Sequence, residues 1–379
     1  MSMRLKDIAD EVRETYIPSP ADDLPYIGLE HVEQGTLHLS DIGSSQEVES
    51  HKFRFRTGDI LFGTLRPYFR KVVIAPCDGV CSTEFSVVRP KRDDDRYFIF
   101  YGMVHPQFIK YATTNSKGAR PRTKWKLFSG YEFPTYMPSC RRDMGRILSA
   151  YDDLIENNRR RIALLEEAAR LLYREWFVHF RFPGHEHVKV IDGVPEGWGY
   201  NLLSEIADIT MGQSPKSIYY NVDGNGLPFH QGVTNFGVRF PTHETYCTVN
   251  NRLAEPGDIL FSVRAPVGRI NITQDKIVIG RGLAAIRSNC NQQNLLFYAL
   301  KSHFFKEDMM GGGAIFAAIT KKDLHGVELL QPSDQIATMF MQHIQPIDQQ
   351  IANLQQTNGN LQAARDLLLP RLMNGELAV

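Results

Sequence analysis

A chain of 379 residues with 42% hydrophobic and 23% charged side chains is long enough for two domains and ordinary for soluble globular protein. Lys plus Arg and Asp plus Glu both total 43, so net charge makes no global case for a nucleic-acid partner, and any such case rests on local clustering. Cys77, Cys81, Cys140, Cys247 and Cys290 lack paired spacing and point to reduced thiols, no apolar run reaches membrane-spanning length, and Met1 opens a polar segment instead of a signal peptide, so a cytoplasmic location without a membrane partner is expected.

In chain order, LKDIADEV (Leu5 to Val12), LPYIGLEHV (Leu24 to Val32), RTGDILFGTLRP (Arg56 to Pro67) and FSVVRP (Phe85 to Pro90) come first. Each returns in the same order roughly two hundred residues on, as LSEIADIT (Leu203 to Thr210), LPFHQGVTN (Leu227 to Asn235), EPGDILFSVRAP (Glu255 to Pro266) and LAAIRS (Leu283 to Ser288). Four landmarks in one order describe an internal repeat. Each copy reads as a mixed α/β domain whose front holds short β-branched runs such as KVVIAP (Lys71 to Pro76) and KIVIG (Lys276 to Gly280), bounded by Gly, Pro or Asp. Helical patches follow at Asp94 to His105 and Gln292 to Met309. The Gly-Asp pair within GDILF invites a catalytic role for Asp59 and Asp258, but a turn feeding a buried strand is the simpler reading.

Between the copies, Leu148, Tyr151, Ile155, Asn158, Ile162, Leu165, Ala169, Leu172 and Trp176 step by three and four through a stretch without Gly or Pro, the pattern of a coiled-coil helix. Its partner is the terminal seam Ala337, Phe340, Ile344, Ile347, Ile351, Leu354, Asn358, Leu361, Arg365, Leu368 and Leu372. There Pro346 removes a backbone donor and Gly359 lowers helix propensity, so a kink or a fresh start at Pro346 is expected. Asn158 and Asn358 either fix register or are tolerated polar positions; the sequence leaves both open. His179 to Asn201, rich in Gly and Pro, reads as a linker, and the HEH at His185 to His187 lacks the helical spacing of a metal site. The expected architecture is α+β: two mixed α/β domains related by the repeat and separated by a two-helix antiparallel coiled coil. The expected divisions are residues 1–140 (first domain), 141–182 (central helix), 183–198 (linker), 199–332 (second domain) and 333–379 (C-terminal helix).

Catalytic and cofactor motifs are missing: there is no phosphate loop, no dinucleotide fingerprint, no nucleophile elbow and no zinc spacing, so no catalytic residue, metal or cofactor is assigned to this chain. The triple glycine Gly311 to Gly313 reads as a flexible loop. Basic clusters are the positive signal. KGARPRTKWK holds Lys117, Arg120, Arg122, Lys124 and Lys126 around Trp125 without an acid, and HKFRFRTGDILFGTLRPYFRK interleaves Lys52, Arg54, Arg66 and Arg70 with aromatics. In the second copy Arg264, Arg269, Lys321 and Lys322 hold the corresponding places. A charge run is usually a solvated face, but basic loops at matching places in both copies favour contact with DNA phosphates and base edges.

NRRRIALLEEAARLLYREWFVHFRFPGHE (Asn158 to Glu186), PEGW (Pro195 to Trp198), the repeated GDILF and the terminal LLLPRLMNGEL (Leu367 to Leu377) together resemble the DNA specificity subunit of type I restriction-modification systems, over essentially the whole chain. The resemblance implies two target-recognition domains, each reading one half of a split, asymmetric double-stranded DNA site. It also implies two methyltransferase subunits and two restriction-translocase subunits as partners, which would bring S-adenosylmethionine, ATP and Mg²⁺. Departures from the family pattern are Pro346 and the pair Arg141-Arg142 at the start of the first helix. The 29 residues Leu148 to Trp176 would span roughly 43 Å as helix, comparable with the 34–36 Å or so between half-sites one DNA turn apart. Two other classes remain open: a stand-alone nuclease or methyltransferase using Asp59 and Asp258, and a coiled-coil scaffold that binds protein only.

Overall fold

The repeated GDILF segment shows how each domain is built. In the computed structural model, which describes residues 2–304 and 318–377, Ile60–Gly63 and Ile259–Ser262 are buried strands at the centre of two sheets of identical order. The first sheet runs Ala9–Val12, Phe85–Pro90, Ile60–Gly63, Val72–Ile74, and the second Ala207–Met211, Leu283–Ser288, Ile259–Ser262, Ile270–Ile272, every neighbour antiparallel. Successive strand residues point to opposite faces. Ile60 and Phe62 therefore enter a helix-covered core with Phe98, Phe108 and Phe128, while Leu61 enters a second core with Val73, Phe85 and Val87. Ile259 and Phe261 against Leu260 divide in the same way. A strand covered on both faces has to be apolar throughout, which is why ILF recurs without alternation.

The residues before it are equally determined. Gly58 and Gly257 take φ of 87° and 91°, a region that favours glycine. Asp59 then accepts the Arg56 amide and a two-pronged bond from Arg89 at 2.7 and 2.6 Å, and Asp258 accepts the Glu255 amide and a fork from Arg287 at 2.6 and 2.9 Å. Both aspartates are buried, and their oxygens lock a turn to the neighbouring strand.

A second sheet in each domain carries a parallel pair, Pro25–Ile27 beside Gly79–Cys81 and Leu227–His230 beside Ile277–Ile279. Four strands correspond between the two, but the fifth attaches to opposite edges. Thr15–Tyr16 pairs with Lys52–Phe55, whereas Tyr220–Asn221 pairs with Tyr246–Cys247. The repeat preserves the scaffold and changes its rim.

Two helices of 40 residues each follow the domains, Pro138–Phe177 and Asp334–Met373. The chain divides into two compact units, one running to Asn158 and resuming at Thr357, the other running from Arg159 to Gln356, so each unit takes part of both helices. The first helix begins earlier than the expected residue 141, at a proline whose missing N–H costs nothing in a first turn. It ends before the expected residue 182, because Phe180 has turned to φ 57°. The second stops at Met373, short of residue 379, where Gly375 takes φ 74° and the Glu376 amide returns to the Arg371 carbonyl, a glycine-centred helix stop. No fresh start occurs at Pro346: the helix is continuous through it, flanked by the fully buried Ile344 and Ile351. One lost hydrogen bond is outweighed there by packing on both sides.

All the seam positions are buried or half-buried. Leu148 shares a core with Leu369 and Leu372 in the first unit, and Ile162 packs with Ile351 and Leu354 in the second. Asn158 donates from Nδ2 to Asn358 Oδ1 at 2.9 Å, and Asn358 Nδ2 reaches the Ile155 carbonyl at 3.4 Å. Paired amides of this kind set register. Gly359 is exposed, and among the described residues nothing lies within 4 Å of where a Cβ would stand. Gly359→Ala is expected to stabilise the chain by about 0.5–1 kcal/mol, read as a raised urea midpoint at unchanged slope.

An arginine clamp sits in each unit. In the first, Arg365 binds Asp152 and Asp366, and Asp152 also accepts the Tyr101 hydroxyl. In the second, Asp348 accepts the Tyr298 hydroxyl at 2.7 Å, but the guanidinium comes from Arg239 of the sheet domain. Arg239 also binds Glu166 at 2.7 Å and the Tyr298 oxygen at 2.8 Å, over the Phe297 ring at 4.5 Å. Arg141, at the unusual start of the first helix, is buried with a forked bond to Asp95 at 2.8 and 3.0 Å. The expected linker 183–198 is more than a tether: Val190–Ile191 and Val194–Pro195 form a hairpin, and Trp198 is buried against Phe177, Phe180 and Phe182. Aromatic burial orders a stretch whose Gly and Pro content suggested only a loop. The helical reading beyond Phe304 and the loop reading at Gly311 to Gly313 fall outside the described residues.

Candidate nucleic-acid interface

In the first domain the basic segment closes on itself. The Lys117 amide donates to the Arg122 carbonyl at 3.0 Å, the Arg122 amide returns to Lys117 at 3.1 Å, and Gly118 at the tip takes φ 93°. This hairpin is pinned to the loop after GDILF, where the Arg66 amide donates to the Pro121 carbonyl at 2.8 Å and the Thr123 amide to the Thr64 carbonyl at 3.0 Å. Thr64 in turn donates its amide, at 2.7 Å, and its hydroxyl, at 2.6 Å, to the Glu84 carbonyl. Three segments distant in sequence thus form one tied edge. Lys117, Arg120, Lys124 and Lys126 stand exposed on it, without an ion pair among the described residues, while Arg122 is paired with Glu84.

The second domain repeats the ties with different side chains. The Ile319 amide donates to the Val263 carbonyl at 2.8 Å, and the Val263 amide to the Gly282 carbonyl at 2.9 Å, the places held by Thr123, Thr64 and Glu84 in the first. Arg264, Arg269, Lys321 and Lys322 are exposed here. Ser262, buried beneath them, accepts the Arg269 amide at 2.8 Å and donates to the Pro266 carbonyl at 2.6 Å. Lys321 and Lys322 open the short helix Lys321–His325, capped by Thr320.

Five expected contacts change character. Lys52 is buried, its Nζ donating to the Ser50 carbonyl and hydroxyl at 2.7 Å, so it is withdrawn as a phosphate contact. Arg70 is half-buried with Asp366 and Arg365 as its charged neighbours, and burial lowers its pKa. Trp125 is half-buried, edge-on to Phe128 at 5.5 Å, and serves the core rather than as a stacking platform. Arg54 is exposed but lies over the Tyr16 ring at 4.8 Å and beside Glu14. Arg66 is half-buried and lies over Phe69 at 5.7 Å.

Two residues escaped the sequence reading. Gln231 and Arg281 line one cleft with Arg264, yet neither lies in a basic run. Only the repeat could have found them, since they flank the strands that the two copies share.

Residues 195–363 match the family model described as the type I restriction modification DNA specificity domain. A protein of Methanocaldococcus jannaschii with the provisional name type I restriction enzyme MjaX specificity subunit is 28% identical, with 99% of this chain and 93% of that one aligned. The type I restriction enzyme MjaIX specificity subunit of the same organism is 26% identical, over 86% and 79% of the two chains. The crystal structure of a type I restriction-modification S subunit from M. genitalium shares the fold at 14% identity, with a TM-score of 0.58 over 98% of this chain and 96% of that one. No helix among the described residues is long and apolar enough to cross a membrane. With two sheet-rich domains, two long helices and this sequence similarity, the chain is similar over nearly its whole length to type I restriction-modification DNA specificity subunits.

Proposed function

We propose that this chain recognises a bipartite, asymmetric double-stranded DNA site, one half with each domain, and that it recruits methyltransferase and restriction-translocase subunits. The observation that carries the reading is the shared edge: the same backbone ties present exposed cations in both domains, while the side chains on those ties differ. Equal frameworks with unequal side chains suit two different half-sites. The partner subunits would supply S-adenosylmethionine, ATP and Mg²⁺, in the cytoplasm. Catalysis by this chain is disfavoured because Asp59 and Asp258 each hold an arginine fork and lie buried in a turn.

Selection of random duplexes by the chain assembled with its methyltransferase subunits tests the reading, and recovery of no split motif would favour a protein-only scaffold. Arg120→Ala with Arg122→Ala is expected to weaken binding and to alter only the half of the motif read by the first domain. Cleavage or methyl transfer by the chain alone would instead support an enzyme.

A further inference from the structure

The cleft beside Arg264 in the second domain is built from backbone that leaves little freedom. The Gly282 amide donates to the Gln231 carbonyl at 3.1 Å, the Gly280 amide to the His230 carbonyl at 2.8 Å, and the Val263 amide to the Gly282 carbonyl at 2.9 Å. A Cβ at Gly282 would stand 2.5 Å from the Gln231 carbonyl oxygen, so the close approach requires glycine. Ser214 Oγ accepts the Arg281 amide at 3.1 Å and sends its own proton to Gln231 Oε1 at 2.8 Å. That bond orients the Gln231 amide and engages its oxygen, leaving the Nε2 donors without a partner among the described residues.

The polar side chains lining the cleft are therefore a set of donors. Arg264 and Arg281 are exposed and carry no ion pair among the described residues, Gln231 offers its NH₂ group, and the Ser262 hydroxyl is already engaged. In the first domain the place of Gly282 holds Glu84, whose carboxylate pairs with Arg122 and supplies an acceptor at the corresponding edge. A donor-only surface complements guanine, the one base that presents two acceptors, N7 and O6, in the major groove. Cytosine would bring an amino donor with nowhere to go, and adenine offers one acceptor beside one donor.

We propose that Arg264, Arg281 and Gln231 form a guanine-reading cleft, so that the half-site of the second domain contains at least one guanine contacted through its major-groove edge. This rests on the reading of the chain as a DNA recogniser. The test uses the full chain assembled with its methyltransferase subunits, selecting from random duplexes with the wild type, Arg264→Ala and Arg281→Ala, followed by 7-deazaguanine substitution at each guanine recovered. The expected result is a motif in which one half holds a guanine whose 7-deaza form weakens wild-type binding about tenfold or more, with little further loss in the variant that lacks its contact. Two results would overturn the inference and leave the DNA-reading function standing: a half-site without guanine, or variants that bind all sequences more weakly by one factor and with a shallower salt dependence, the mark of phosphate contact. A wild-type complex that selects no motif would instead overturn the DNA-reading function and the cleft assignment together.

Discussion

Replacing Arg239 by methionine is expected to destabilise the second unit by about 3 kcal/mol, at the lower end of what breaking a buried ion pair costs. Arg239 is only 1% exposed, and its loss strands Glu166 and Asp348, themselves largely buried. The lower end applies because Glu166 keeps Lys301 at 3.0 Å and Asp348 keeps Asn294 and the Tyr298 hydroxyl. Denaturant unfolding reads the change, and an effect below about 1 kcal/mol would show that the clamp is not what joins the sheet domain to the helices in this unit. Acid sharpens the test. Burial alone would raise the Glu166 pKa, but Arg239 and Lys301 outweigh it and hold the carboxyl below its ordinary range. Its contribution is therefore complete above the usual carboxylate pKa, about 4.3, and is lost as pH falls through the lower folded value. In Arg239→Met the folded value moves back toward the unfolded one, so this acid-dependent part of the stability should shrink.

DNA affinity is expected to fall steeply with salt. Eight candidate cations are exposed and without an ion pair among the described residues: Lys117, Arg120, Lys124, Lys126, Arg264, Arg269, Lys321 and Lys322. With six or more on phosphates, the binding constant of the assembled complex should drop about 10³-fold or more between 50 and 200 mM salt. Lys117→Ala and Lys124→Ala should each lower the slope by about one without changing the recognised sequence. A slope near zero would remove phosphate contact from the mechanism, and a changed motif would make those lysines base readers.

Much of the architecture was legible in local pattern. The seam at steps of three and four located both helices, because a helix face is a property of neighbouring residues. The repeat of GDILF located both central strands, since a strand covered on two sides leaves no choice but apolar residues. The Asn158–Asn358 pair, open in either direction from sequence, was resolved only by its 2.9 Å bond.

Charge was much harder to place. Lys52, Arg70 and Arg122 look alike as basic residues near aromatics or glycine, yet one is buried on Ser50, one faces Asp366 and one is paired with Glu84. The partners of Arg239 lie at Glu166, Tyr298 and Asp348, and Gln231, Arg264 and Arg281 meet across three separate segments. By itself the sequence determined the main element types and the internal repeat, because periodicity and turn chemistry act over a few residues. Tertiary structure alone decided that the helix continues through Pro346 and which cations reach solvent, because packing between distant segments outweighs a single lost hydrogen bond and a buried charge must find a partner wherever the fold brings one.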